Sequence, residues 1–190
     1  MKNQLIAIFI VAVSFGATAQ SRYMTREGKV SFYSDAPLEK IEAHNSKVAA
    51  ILETAGGNFQ AIVLMKAFMF EKDLMQQHFN ENYVESDKYP KAIFKGVIEN
   101  FKELDLSKDG EYSVTVSGKM ELHGVTKDVN AKGSLKVEGK SVTAVSEFMI
   151  KPEDYNIKIP KLVRDKIAKE VKVVVDIKMN QITEDKTEKQ

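Results

Sequence analysis

One alternating pattern, carried through a single turn, limits this chain to a β architecture more than any other feature does. From Tyr112 the apolar or small residues fall at every second position: Tyr112, Val114, Val116, Gly118, Met120 and Leu122. Beyond His123-Gly124 the same period returns with Val125, Val129, Ala131, Leu135 and Val137. Side chains of a strand point alternately to its two faces, so such a run marks a strand with one side buried. Gly124 supplies the positive φ that a two-residue hairpin turn needs. The stretch GKMELHGVTKDVN, Gly118 to Asn130, is therefore the centre of a long antiparallel hairpin with one apolar face.

The period recurs along the chain. Val30 to Tyr33 reads as a strand ended by Asp35-Ala36-Pro37, and Arg22 to Arg26 as a short separate strand before it. Propensity alone allows a helix over Leu38 to Leu52. The turn Ala55-Gly56-Gly57-Asn58 and the strand beyond it favour an irregular strand bent near Asn45. Phe59 to Phe70 reads as one long strand, apolar on both faces and so covered on both. In Glu71 to Phe79, Leu74, Met75, His78 and Phe79 share one side of a short helix. That side is placed to pack on a sheet or to close its end. Pro90 holds Tyr89 extended, and Ala92, Phe94, Gly96 and Ile98 then alternate. Val142, Ala144, Ser146, Phe148 and Ile150 share a face of the next strand, after a turn at Glu138-Gly139. A polar connection and one or two helical turns over Leu162 to Ile167 lead to the last strand, Val171 to Met179. About eight sequential strands with short turns close into a barrel or fold as a sandwich. Small residues on the inner face, among them Gly96, Gly118, Ala131 and Ala144, either leave space or relieve bending strands.

Composition narrows the classes. Lys2, the apolar run Leu5 to Phe15 and the site Ala17-Thr18-Ala19 make a secretory signal peptide the expectation for residues 1–19, ahead of a retained N-terminal anchor. Cleavage after residue 19 of 190 leaves a mature chain of 171 residues from Gln20. The expected layout is a barrel domain over 20–182 and a charged, fraying tail over 183–190. Of 28 basic side chains only Lys2 lies in the leader, leaving 27 against 27 acidic ones. That balance argues against nucleic acid as the main partner. There is no Cys, so packing alone must hold an exported chain, and thiolate chemistry is absent. No mature segment is apolar enough to span a bilayer as a helix. The expected location is the periplasm, with the extracellular space open.

Taken together, MQQHFNENYVESDKYPKAIFKG and GKMELHGVTKDV resemble the YceI-like family of exported lipid-binding proteins. The match is carried by His78, Tyr89-Pro90, Phe94 and the run Leu122 to Lys127, within a resemblance from about Val30 to Met179. It implies an all-β, eight-stranded antiparallel lipocalin-like barrel with one or two short helices. It also implies a long apolar pocket for a polyisoprenoid or fatty-acyl chain. The chain departs from the family pattern before His78, where Met75-Gln76-Gln77 replaces the common Arg-Asp pair.

The candidate lining follows from the inward stripes. It comprises Phe94 and Ile98, then Val114, Val116 and Met120, then Val129 and Leu135, then Phe148, and last Val173 and Val175. These read first as core, and equally suit an acyl or prenyl chain. Lys127 is in phase with Val125 and Val129, so it is a candidate headgroup contact if it points inward, although a snorkelling side chain or a register change at the turn is the favoured reading. His123 reads as a turn-stabilising residue, and His78 as packed and hydrogen-bonded. The lysines Lys151, Lys158 and Lys161, interleaved with Glu153, Asp154 and Asp165, read as a solvated surface. The sequence carries no convergent metal ligands, placed carboxylate pair, nucleophile elbow, phosphate loop or dinucleotide fingerprint. The expectation is a non-catalytic binder of a long-chain lipid or isoprenoid, without cofactor or metal, and with a homodimer left open. A packed-barrel interaction or stress-response module is the alternative, ahead of an enzyme acting on a lipid headgroup.

Overall fold

The structure is a computed structural model and describes residues 21–182. The expected signal peptide, 1–19, and the tail, 183–190, lie outside the described residues. Among the described residues nine strands form one antiparallel sheet. They are β1 (Arg22–Asp35), β2 (Lys40–Glu53), β3 (Asn58–Leu64), β4 (Met69–Phe70), β5 (Lys91–Ile98), β6 (Gly110–Leu122), β7 (Val125–Glu138), β8 (Ser141–Ile150) and β9 (Val171–Ile182). Eight of them run β1-β2-β3-β5-β6-β7-β8-β9, and β9 pairs back onto β1. The wall is a closed barrel, which leaves no free sheet edge around the ring. The two-residue β4 is an extra ladder beside β2. One short helix, α1 (Asp73–His78), runs into a π-helical turn over Phe79–Tyr83.

The alternating hairpin forms as the period requires. β6 and β7 pair without a slip from Gly110 opposite Val137 to Leu122 opposite Val125. His123 and Gly124 both take positive φ, 52° and 72°. Two left-handed residues give the primed turn whose twist suits the strands on either side.

Three expected boundaries shift. Arg22 to Arg26 and Val30 to Tyr33 belong to one strand, β1, kept continuous by a bulge. Thr25 faces Ala50 but Gly28 faces Val48, so β1 carries one extra residue there. The bend expected near Asn45 is a second bulge, on β2: Val30 faces Asn45 while Gly28 faces Val48. Asn45 is buried, and its side chain satisfies the disturbed backbone. Its Nδ2 donates to the Leu64 carbonyl at 2.8 Å, and its Oδ1 accepts from Lys47 N–H at 2.9 Å. The third shift overturns a reading. Phe59 to Phe70 is not one strand but β3, a 3₁₀ turn over Met65–Ala67, and β4. The turn carries Met65 and Phe68, three residues apart, into the core together. The outer face of β3 is also left partly exposed at Ile62 and Leu64, not covered as expected.

The barrel has two different ends. At one, Leu52, Leu135, Val137, Val142, Ile177 and Met179 are fully buried against one another. Phe101, Leu104 and Leu106 from the β5–β6 connection pack on this core, and Tyr112 Oη donates to the Asp105 carbonyl at 2.8 Å. Strand direction places both long connections, 65–90 and 151–170, at the other end, with the β1–β2 and β6–β7 turns.

Candidate functional site

The second half of the barrel is hollow. A cavity of about 560 Å³ runs from the packed core to the end carrying the long connections. That volume lies in the range of small-molecule sites. Ile98, Val114 and Leu135 are at once buried core residues and lining of the cavity. Val116 and Met120 of β6 line it, as do Val129 of β7, Phe148 of β8, and Val173 and Val175 of β9. Phe94 lines it too, with its ring centroid 6.2 Å from that of Phe59. All ten residues named from alternation thus stand around one space.

Small residues keep the space open. Ala131, Gly133, Ala144 and Ser146 line it where longer side chains would cross the lumen. Gly96 and Gly118 face each other across β5 and β6, where any Cβ would collide with backbone and with the Phe94 ring. Their emptiness lets Phe94 lie along the wall.

Sequence reasoning missed the mouth. Phe32, Phe68, Phe70 and Phe79 come from β1, the 3₁₀ turn, β4 and the π-helical turn, and meet with ring centroids 5.1–5.7 Å apart. Phe32 and Phe79 are stacked, and the other pairs are tilted or edge-on, as ring quadrupoles favour. All four line the cavity. The repeated phenylalanines of AFMFEKDLMQQHF were the available signal, but only the turn at Met65–Ala67 brings them together. Leu74, Met75, His78 and Phe79 do face the cavity from the expected side of α1.

Polar groups gather at the rim. Glu39, Lys72, His78 and Lys166 border the cavity there. Lys72 Nζ lies 3.7 Å from Glu39 Oε1, tying α1 to the β1–β2 turn. Ser34 Oγ is buried and accepts from Ala168 N–H at 2.8 Å. Burial pushes the Tyr83 phenol, beside the lumen, above its ordinary value.

Two sequence candidates are exposed. Lys127 is exposed, opposite Met120, and does not border the cavity; the rim lysines are Lys72 and Lys166. The residues just after the turn leave the strict inside-outside alternation, with Thr126, Lys127 and Asp128 all exposed. His78 is exposed at the rim, and not packed and hydrogen-bonded as expected. His123 does hold its turn. Its Nδ1–H donates to the Tyr155 carbonyl at 3.0 Å, and its Nε2 lies 2.8 Å from Glu85 Oε2. The Tyr89 ring stands edge-on at 4.5 Å, so the imidazole joins the β6–β7 turn to both long connections. Burial, and then the neighbouring Asp154 charge, push the Tyr155 phenol up.

Among the described residues no three His, Cys, Asp or Glu side chains are grouped to hold a metal ion. No helix among them is long and apolar enough to cross a membrane. What the arrangement offers is an apolar sleeve with charge only at its opening, suited to desolvating a chain while leaving one polar end in water.

The YceI-like domain model matches residues 14–179. No curated protein sequence matches significantly. Among solved structures, the barrel is similar to a polyisoprenoid-binding domain from Saccharophagus degradans implicated in plant cell wall breakdown. The TM-score is 0.73 at 15% identity, over 84% of this chain and 97% of that one. It is similar to BcnA of Burkholderia cenocepacia, with TM-score 0.65 at 19% identity over 80% and 95% of the two chains. A Campylobacter jejuni YCEI protein aligns with TM-score 0.56 at 12% identity, over 73% and 83%. At such identities these likenesses show the fold.

Proposed function

The chain belongs to the YceI-like family, and from that premise we propose that it binds a long-chain amphipathic lipid, such as a polyisoprenoid, with the tail in the barrel and the polar end at the rim. The observation that carries this reading is the hollow half-barrel: about 560 Å³, apolar along its length and charged only at the mouth. Burying a methylene gains about 0.8 kcal/mol, so a ten-carbon segment gains about 8 kcal/mol before ordering costs. No step of chemistry is needed for this. The polyisoprenoid-binding domain of matching fold lends support on the nature of the tail. The leader-like residues 1–19 support a periplasmic setting, where a barrel that shields a tail from water would carry or store it. An open lumen favours this reading over a packed interaction module.

The test is direct. Mature protein purified without detergent is extracted with solvent and the extract examined by mass spectrometry, and delipidated protein is offered cis-parinaric acid and a polyprenol. Native protein should yield lipid, and delipidated protein should take up at least one probe. Ala131→Phe, which places a ring across the lumen, should cut uptake at least tenfold while the barrel stays folded by circular dichroism. Native protein that yields no lipid, together with delipidated protein that takes up neither probe, ends the reading.

A further inference from the structure

The rim has a charged side, and of the charged residues on it only Lys166 borders the cavity. Residues 158–169, KIPKLVRDKIAK, hold Lys158, Lys161, Arg164, Lys166 and Lys169 against the single acid Asp165. The whole chain has a formal net charge of only +1, so this short loop is a local concentration of positive charge. At its centre Leu162 is 95% exposed, in a 3₁₀ turn over Lys161–Val163. Val163, Lys166 and Ile167 of the same segment line the cavity, so the loop has one side on the lumen and the other in water.

Two more leucines stand on this rim. Leu38, 70% exposed, lies in the β1–β2 turn, and its N–H donates to the Asp165 carbonyl at 3.0 Å. Leu74, 62% exposed, borders the cavity from α1. The Lys72–Glu39 contact ties α1 to that same β1–β2 turn. A lone exposed leucine needs no explanation. Three around one opening, beside five basic side chains, make a different kind of surface: cations that attract phosphate headgroups and apolar side chains that enter the acyl boundary.

We propose that the mouth docks on an anionic phospholipid bilayer through the loop 158–169, with Leu162 inserted and the cavity opening onto the membrane. For its purpose this rests on the lipid-binding reading, since it names the surface with which the barrel exchanges its lipid. Glu71 and Asp73 lie on the α1 side of the rim, so attraction is strongest at the loop and the barrel tilts toward it. Glu153 and Asp154 precede the loop, and Glu170, which follows it, is held 3.5 Å from Lys151 Nζ. A second copy of the chain is the poorer partner, because a two-fold contact would set two like-charged loops against each other.

The experiment is flotation of the mature protein with vesicles of phosphatidylcholine alone or mixed with phosphatidylglycerol, at low and raised salt. Binding should require phosphatidylglycerol and weaken with salt. Lys161→Ala with Arg164→Ala should lower partitioning about 30-fold, at about 1 kcal/mol for each basic residue near an anionic surface. Leu162→Ser should lower it about tenfold. None of the three side chains borders the cavity, so cis-parinaric acid uptake in vesicle-free solution should match the unsubstituted protein. Absent binding, equal binding to both vesicle types, or variants that bind as before overturns the docking. So does a loss confined to self-association in sedimentation. Charge- and Leu162-dependent flotation without cis-parinaric acid uptake would keep the docking and sink the cavity reading; uptake without flotation would do the reverse.

Discussion

Gly118 shows how much a single missing methyl can decide in this wall. A Cβ built there would stand 2.5 Å from Gly96 Cα and 2.8 Å from Phe94 Cζ, and would also strike the Lys95 carbonyl oxygen. Backbone cannot swing aside as a side-chain tip can, so the strands themselves must part. Gly118→Ala should destabilise the barrel by about 2–3 kcal/mol, read as a lower urea midpoint at unchanged slope. Gly139 is the contrast: nothing lies within 4 Å of its Cβ position, and only its φ of 57° resists a side chain. Gly139→Ala should therefore cost about 1 kcal/mol. If the two variants unfold at the same midpoint, the packing account of Gly118 is wrong. His123 makes the same point with hydrogen bonds, since its two ring nitrogens connect parts of the chain 32 and 38 residues away.

At the scale of elements, strands and connections behave differently. α1 has six residues, no buried one and no side-chain cap. Helices so short are not stable on their own. This one is held by Phe79, which follows it into the aromatic cluster at the mouth, and by the Lys72–Glu39 contact. Amides over 73–83 should exchange with deuterium much faster than those of β6 and β7, and cis-parinaric acid should slow the former. Equal protection in both regions would show that α1 is no looser than the wall. The same division governs what the sequence could reveal. The ten residues named from alternation all border the cavity, because a strand fixes its inner face by period alone. The mouth was not legible in that way. Phe68 and Phe70 read as part of a strand, because an apolar run interrupted only by Gln60 and Lys66 does not show that the chain turns at Met65. Lys127 keeps the phase of Val125 and Val129 without bordering the cavity, while Lys72 and Lys166 border it from irregular segments that have no period. The bulge at Asn45 was half legible: a polar residue inside an apolar strand signals a bend, but not its buried partner, the Leu64 carbonyl.

For the whole molecule, the two ends divide the work. The packed end anchors the strands with fully buried side chains, while the far end gives up packing for space. Substitutions should sort accordingly, those near Leu52 and Met179 on stability and those near the aromatic mouth on uptake. The ring closes where β9 meets β1, with Ile182 directly opposite Arg22. Paired strand residues stand about 5 Å apart, a gap that a very short linker spans. Such a ring has no intrinsic first strand. A circular permutant, joined from Ile182 to Arg22 and opened at Gly139-Lys140, should fold to the same barrel, because the join and the opening both lie at the packed end, away from the mouth. Loss of cooperative unfolding or of lipid uptake in that permutant would show that the order of the strands matters to the barrel. With both retained, each of the eight staves would be as good a place to begin as any other.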